Sequence, residues 1–278
     1  NPGSEDMDAA KWKPNLKIGG LNLGSEPVID GYEGKSGAVW RVSKYFPVDD
    51  KECVDPSKVI DLTPRLRRPS TTDAPLAFAL PKGKWHLVRI GHTSTGHTNA
   101  TGGGGRGLEC DKFSAAAVDK QFDNWFAAIY RHAPIDVARK VLTRLHVDSW
   151  EAGSQNWSSN FMDEFKKRRG YDLKPWLLLY AGVPLKSSEE SEKVLRDIRL
   201  TIGDLVNDVF FSEVRRLADE YGVKLSTECV APTMVSDGLR HYQFADYPMG
   251  EFWLNSPTHD KPNDMLDAVS GAHIYGKN

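Results

Sequence analysis

Leu142-Thr-Arg-Leu-His-Val-Asp-Ser-Trp-Glu-Ala-Gly-Ser-Gln-Asn-Trp157 is the stretch whose reading decides the fold. Its first half alternates, with Leu145, Val147 and Ser149 on one side and His146, Asp148 and Trp150 on the other, which is the period of a short strand. At Glu151-Ala-Gly153 the alternation breaks into a polar loop. A helix pattern follows, with Asn160 in the capping position and Phe161, Met162 and Phe165 on one face. A carboxylate at the mouth of a strand, beside two tryptophans, is where an α/β enzyme keeps its chemistry. Taken alone, Glu151 reads equally well as a solvated loop acid.

Downstream the same grammar repeats. Pro175–Tyr180 is a compact apolar segment. A long helix is expected over about 188–221, because Leu195, Ile198, Ile202, Leu205, Val209, Phe210, Val214, Leu217 and Tyr221 keep a 3.6 period and Gly222 closes it. Val223–Val230 then reads as a strand with Glu228 near its end. A ring-rich stretch (His241, Tyr242, Phe244, Tyr247) leads into Pro248–Trp253, a further short strand ending in Glu251, and 264–273 is helical. Strands alternating with helices imply parallel βα units, and acids recurring at strand ends gather on one rim. The fold class expected is therefore α/β, a partial (β/α)8 barrel, since only about four strands are legible.

Upstream the signals weaken. A helix begins after Ser114, with Ala117, Phe122, Phe126 and Ile129 as its stripe. Glu109 and Asp111 precede it, placed either to favour its dipole or to serve a site. Gly91–Gly107 is glycine-rich but lacks the Gly-Lys-Ser/Thr of a phosphate loop, so it reads as a surface loop. Its His92 and His97 read as solvated. Short apolar runs at 55–62, 76–80 and 85–90 suggest strands. The organisation expected is an irregular part at 1–52, a small β-rich insertion at 53–92, and βα units over 93–278.

Composition narrows the function. The 278 residues carry a net charge of −2 and are 40% hydrophobic and 27% charged, which leaves no electrostatic footprint for nucleic acid. The cluster Lys166–Arg169 reads as a solvated helix face. No apolar run approaches ~18 residues, so no membrane span is expected, and no export leader is legible. Three cysteines (Cys53, Cys110, Cys229) make no disulfide framework. No Gly-x-Ser-x-Gly elbow or His-Glu-x-x-His zinc signature occurs. Paired carboxylates with Trp150, Trp157, Tyr247, Phe252 and Trp253 suit a glycosidic bond, which needs a proton on the leaving oxygen and help on the opposite sugar face. The same rings serve equally as core. Asp148, Glu228 and Asp246 could alternatively gather a hard cation.

The runs Gly105-Arg-Gly-Leu-Glu-Cys-Asp-Lys112, His146-Val-Asp-Ser-Trp-Glu-Ala-Gly-Ser-Gln-Asn-Trp157, Phe165-Lys-Lys-Arg-Arg-Gly-Tyr-Asp172 and Pro248-Met-Gly-Glu-Phe-Trp253 resemble glycoside hydrolase family 106, the α-L-rhamnosidases. Leu80–Gly96 is similar to that family's lead-in. The resemblance spans about 53–278 in family order. It implies a (β/α)8 catalytic domain, an inverting mechanism, a calcium ion beside the bound rhamnose, a rhamnose-containing oligo- or polysaccharide as partner, and a periplasmic or secreted location. By position Glu151 takes the role of general acid. Glu251 is the second catalytic carboxylate and, with Glu228, a calcium ligand. Asp148, Trp150, Gln155, Asn156, Trp157, Glu228 and Trp253 would line the substrate site. The family's next glutamate-bearing motif falls beyond residue 278, so the general base is expected there. A non-catalytic glycan-binding protein on a degenerate barrel is the competing expectation.

Overall fold

A computed structural model describes residues 17–18, 21–22, 29–30, 41–42, 48–65, 79–94, 96, 98, 105–148, 155–228, 236–250 and 262–277. Two short antiparallel ladders come first: β1 (Lys17–Ile18) with β2 (Leu21–Asn22), and β3 (Ile29–Asp30) with β4 (Arg41–Val42).

The β-rich character expected of 53–92 is not seen among its described residues. Its pairing there is a single bridge, Val54 beside Leu185, where the Val54 amide donates to Pro184 O at 2.8 Å. The reason is local. Asp55 accepts from the Ser57 amide at 2.9 Å and Pro56 follows it, so 56–58 winds into a 3-10 turn instead of a strand. Asp49 caps the 3-10 turn Asp50–Glu52 in the same way. Trp85–Ile90 has no partner strand among the described residues, and Leu87 stays 79% exposed. Most of 76–80 lies outside the described residues.

Helix α1 (Ala115–Asn124) starts at Ser114, whose Oγ accepts from the Ala117 amide. The expected helix does not run on: Trp125 leaves helical geometry at φ −112°, ψ −85°, and α2 (Phe126–His132) begins on a new axis. Its buried residues are Val118, Phe122, Phe126 and Ala127, whereas Ile129 is exposed. A further short helix, α3 (Ile135–Val141), precedes strand β5 (Arg144–Val147).

Helix α4 (Phe161–Arg169) follows, closed by Gly170 at φ 84°, a left-handed position that favours glycine. Asn160 stands at its N-cap but does not cap it. Instead the Asn160 Nδ2 donates to Phe113 O at 3.2 Å. Pro175–Tyr180 lies inside a 3-10 helix (Lys174–Ala181). The expected long helix is α5 (Ser188–Leu205), a π-helical segment (Val206–Phe211) and α6 (Ser212–Glu220), ending at Gly222. Strand β6 (Lys224–Glu228), a 3-10 turn (Arg240–Phe244), strand β7 (Tyr247–Met249) and helix α7 (Pro262–Tyr275) complete the order.

Strands β5, β6 and β7 form one parallel sheet in sequence order. Its register pairs Leu145 with Leu225, His146 with Ser226, Val147 with Thr227 and Glu228 with Met249. Residues in register share a face. Leu145 and Leu225, 2% and 0% exposed, join Val118, Phe122, Val214, Leu217 and Ala218 in one core, so this face lies against α1 and α6. Burying each leucine contributes roughly 2 kcal/mol. A second core gathers Phe113, Phe161, Phe165, Ile198, Leu205 and Phe211, with Val147 and Phe210 packed against both. The opposite sheet face carries Arg144, His146 and Asp148, all exposed. The molecule is thus mixed α/β, dominated by helices, with its polar sheet face turned away from them. Among the described residues no helix is long and apolar enough to cross a membrane.

Candidate active site

The carboxyl ends of the three strands define the site. Continuing the register by one step sets Asp148 beside Glu228, and neighbouring parallel strands lie about 5 Å apart. Both acids therefore stand on the face bearing His146 and Ser226. Glu151 and Glu251 lie four and two residues past the ends of β5 and β7, and with Trp150 and Trp253 they fall outside the described residues.

The strand ends are gripped from behind. In the 3-10 turn at 240–244, His241 Nε2 meets Glu228 O at 3.0 Å and the Tyr242 hydroxyl donates to Met249 O at 2.7 Å. Both side chains are fully buried. Burial pushes the His241 imidazole down to about 4, so it is neutral at pH 7 and its Nε2–H donates to the strand carbonyl.

Residues 155–158 are anchored to the segment before α1. Asp111 accepts from Gln155 Nε2 and Ser158 Oγ, each at 2.5 Å, and from the Phe113 amide at 2.9 Å. Gln155 Oε1 accepts from the Lys112 amide at 3.0 Å. Glu109 pairs with Lys112 at 2.6 Å, and the Lys112 ammonium lies 5.8 Å from the Phe210 ring centre. Asp111 therefore fixes residues 155–158, Glu109 is paired with Lys112, and helix capping falls to Ser114. Burial raises the neighbouring Cys110 thiol above its ordinary range.

The expected substrate-binding residues separate in this geometry. Gln155 is committed to Asp111 and the loop backbone. Trp157 is half-buried against Phe161, Tyr180 and His92, with ring centres at 5.2, 5.5 and 6.3 Å. Asn156 is exposed. Asp246, weighed as a cation ligand with Asp148 and Glu228, is not with them: it sits at the amino end of β7. There it accepts from the Leu225 amide at 2.8 Å and pairs with Arg215 and with Lys224 at 3.2 Å. Burial opposes its charge, but these donors hold its carboxyl below the usual range. Tyr247 lies on the open face under the Arg144 guanidinium, 4.2 Å from its ring centre.

Asp148 and Glu228 carry hard oxygen donors, the chemistry calcium prefers. No group of three or more metal-ligating side chains assembles among the described residues. Residue reading passed over the clamp at His241–Tyr242 and the pairing of His146 with Ser226. Each joins positions far apart in the chain. A histidine two places before an acid on the same strand face was the one local signal.

The family described as alpha-L-rhamnosidase, glycoside hydrolase family 106, matches residues 4–278. A curated protein of Formosa agariphila, provisionally named a beta-glucuronidase, is 32% identical over 233 residues, covering 82% of this chain and 19% of that protein. The structure of a rhamnosidase from Novosphingobium sp. PP1Y superposes with a TM-score of 0.68 at 29% identity, covering 89% of this chain and 24% of that one. The chain thus spans about a fifth to a quarter of these relatives.

Proposed function

The chain belongs to glycoside hydrolase family 106, the alpha-L-rhamnosidases, and from that premise we propose an inverting α-L-rhamnosidase that releases L-rhamnose from a glycoside or polysaccharide. The observation that carries the reading is the parallel rim on which Asp148 and Glu228 adjoin and from which the chain runs directly to Glu151 and Glu251. Three parallel strands in sequence order, helices on one face and polar groups on the other, support their being part of a (β/α)8 barrel.

Glu151 protonates the departing glycosidic oxygen. Inversion requires a water on the far face of the sugar and a wider carboxyl separation, roughly 6.5–9.5 Å. Glu251 and Glu228 orient the sugar and would hold a calcium ion, whose charge would fix the sugar hydroxyls. Asp148, Trp150, Asn156 and Trp253 complete the lining, with Gln155 and Trp157 holding the loop that presents Glu151. The setting that fits is periplasmic or extracellular glycan breakdown.

Replacing the acid tests this. In a protein that also carries the glutamate motif expected beyond residue 278, Glu151→Gln should lower kcat on an alkyl α-L-rhamnoside by about 10²–10⁴-fold, and much less on a nitrophenyl rhamnoside, whose leaving group needs no proton. Circular dichroism should be unchanged. Equal, small effects on both substrates would overturn the assignment. An aryl β-glucuronide run alongside addresses the name of the Formosa relative: faster turnover of that substrate would replace rhamnose as the sugar released.

A further inference from the structure

We propose that His146 is a sugar-binding residue whose Nε2 hydrogen-bonds a hydroxyl of the bound glycan. The proposal deepens the rhamnosidase reading and rests on it. His146 occupies the open face of β5, two residues and so roughly 7 Å below Asp148 on the same side of the strand. It is exposed, although its neighbour in register is not: Ser226 is 1% exposed.

A hydrogen bond orients the imidazole. His146 Nδ1 lies 2.9 Å from the Ser226 hydroxyl, which is itself 3.4 Å from Leu145 O. The ring is thus held through Nδ1, and Nε2 is its second polar atom, at the far end of the ring. A buried serine spent on orienting an exposed histidine is the arrangement by which a protein pre-orients a ligand-binding imidazole. A fixed polar atom on the floor beneath two carboxylates suits the hydroxyl-rich edge of a sugar, whose hydroxyls both donate and accept. It discriminates against an analogue lacking that hydroxyl.

Two substitutions separate ligand binding from a purely structural His–Ser bond. Asparagine places its amide near Nδ1 and keeps the Ser226 partner, whereas glutamine reaches the position of Nε2. Under this proposal His146→Asn should raise Kd for L-rhamnose and KM for an aryl α-L-rhamnoside about tenfold, with kcat changed less than about threefold, as for lost uniform binding. His146→Gln should restore both to within about threefold, and both variants should melt within a few degrees of the parent. The inverse ranking, with asparagine sufficient and glutamine not, would make the His–Ser bond structural and overturn the proposal, as would two variants equal to the parent. A parent protein that carries the glutamate motif expected beyond residue 278 and yet neither binds nor cleaves rhamnosides would overturn the rhamnosidase reading itself, a result visible before any variant is compared.

Discussion

Asp111 shows how much of the candidate site is held together by hydrogen bonds between distant residues. Its carboxylate collects Gln155, Ser158 and the Phe113 amide, joining positions 44 and 47 residues apart. Removing it with Asp111→Ala leaves partly buried donors unsatisfied and should cost about 2–3 kcal/mol in urea unfolding, with Gln155→Ala costing less because water can reach the remaining groups. His241 makes a pH prediction. Its folded pKa near 4 lies below the ordinary 6.5, so the unfolded chain binds more protons between those values. Stability from this group is complete above about pH 6.5 and is lost as pH falls toward 4. Between pH 6.5 and 5 the loss should be about 2 kcal/mol, and His241→Gln should flatten that slope. Local alternation was enough to find Asp148 and Glu228 at strand ends. It could not place Asp246, weighed as an alternative cation ligand, because a ring-rich stretch gives no mark of where the strand begins.

Helical elements were the most legible, since apolar residues at helical spacing mark them whatever they touch: α4, the α5–α6 rod and α7 all stand where periodicity put them. The misses have stated causes. An aspartate-proline pair wound 55–58 into a turn, Trp125 broke a helix that the stripe carried through, and α3 is too short to show a period. Helix α7 is fixed by close approach to the clamp. A Cβ at Gly271 would overlap the Tyr242 ring and lie 3.0 Å from Tyr242 Cβ. Gly271→Ala should therefore cost about 1–3 kcal/mol and also lower activity per folded molecule, because Tyr242 holds the end of β7. A thermal melt paired with a rhamnoside assay would register both effects.

At the scale of the molecule, two cores are joined by charge as well as by chain. Arg168 reaches Asp208 at 2.6 Å, Arg169 pairs with Asp204, and Arg240 bridges Asp204 and Asp208 at 2.7 and 2.6 Å. This ties α4, the long rod and the clamp turn together. Arg240 is about one-third exposed, so water screens it, and Arg240→Met should cost only about 1–2 kcal/mol, diminishing at high salt. The rod itself serves both cores because it changes phase along its length. Residues 194, 198, 202 and 205 face one core and residues 214, 217 and 218 the other, with the wider turns of 206–211 between them. Chain length there is consequently a setting: excising one residue from 206–211 would swing α6 by about 100°, lifting Val214 and Leu217 off the sheet and unseating the floor beneath the acids.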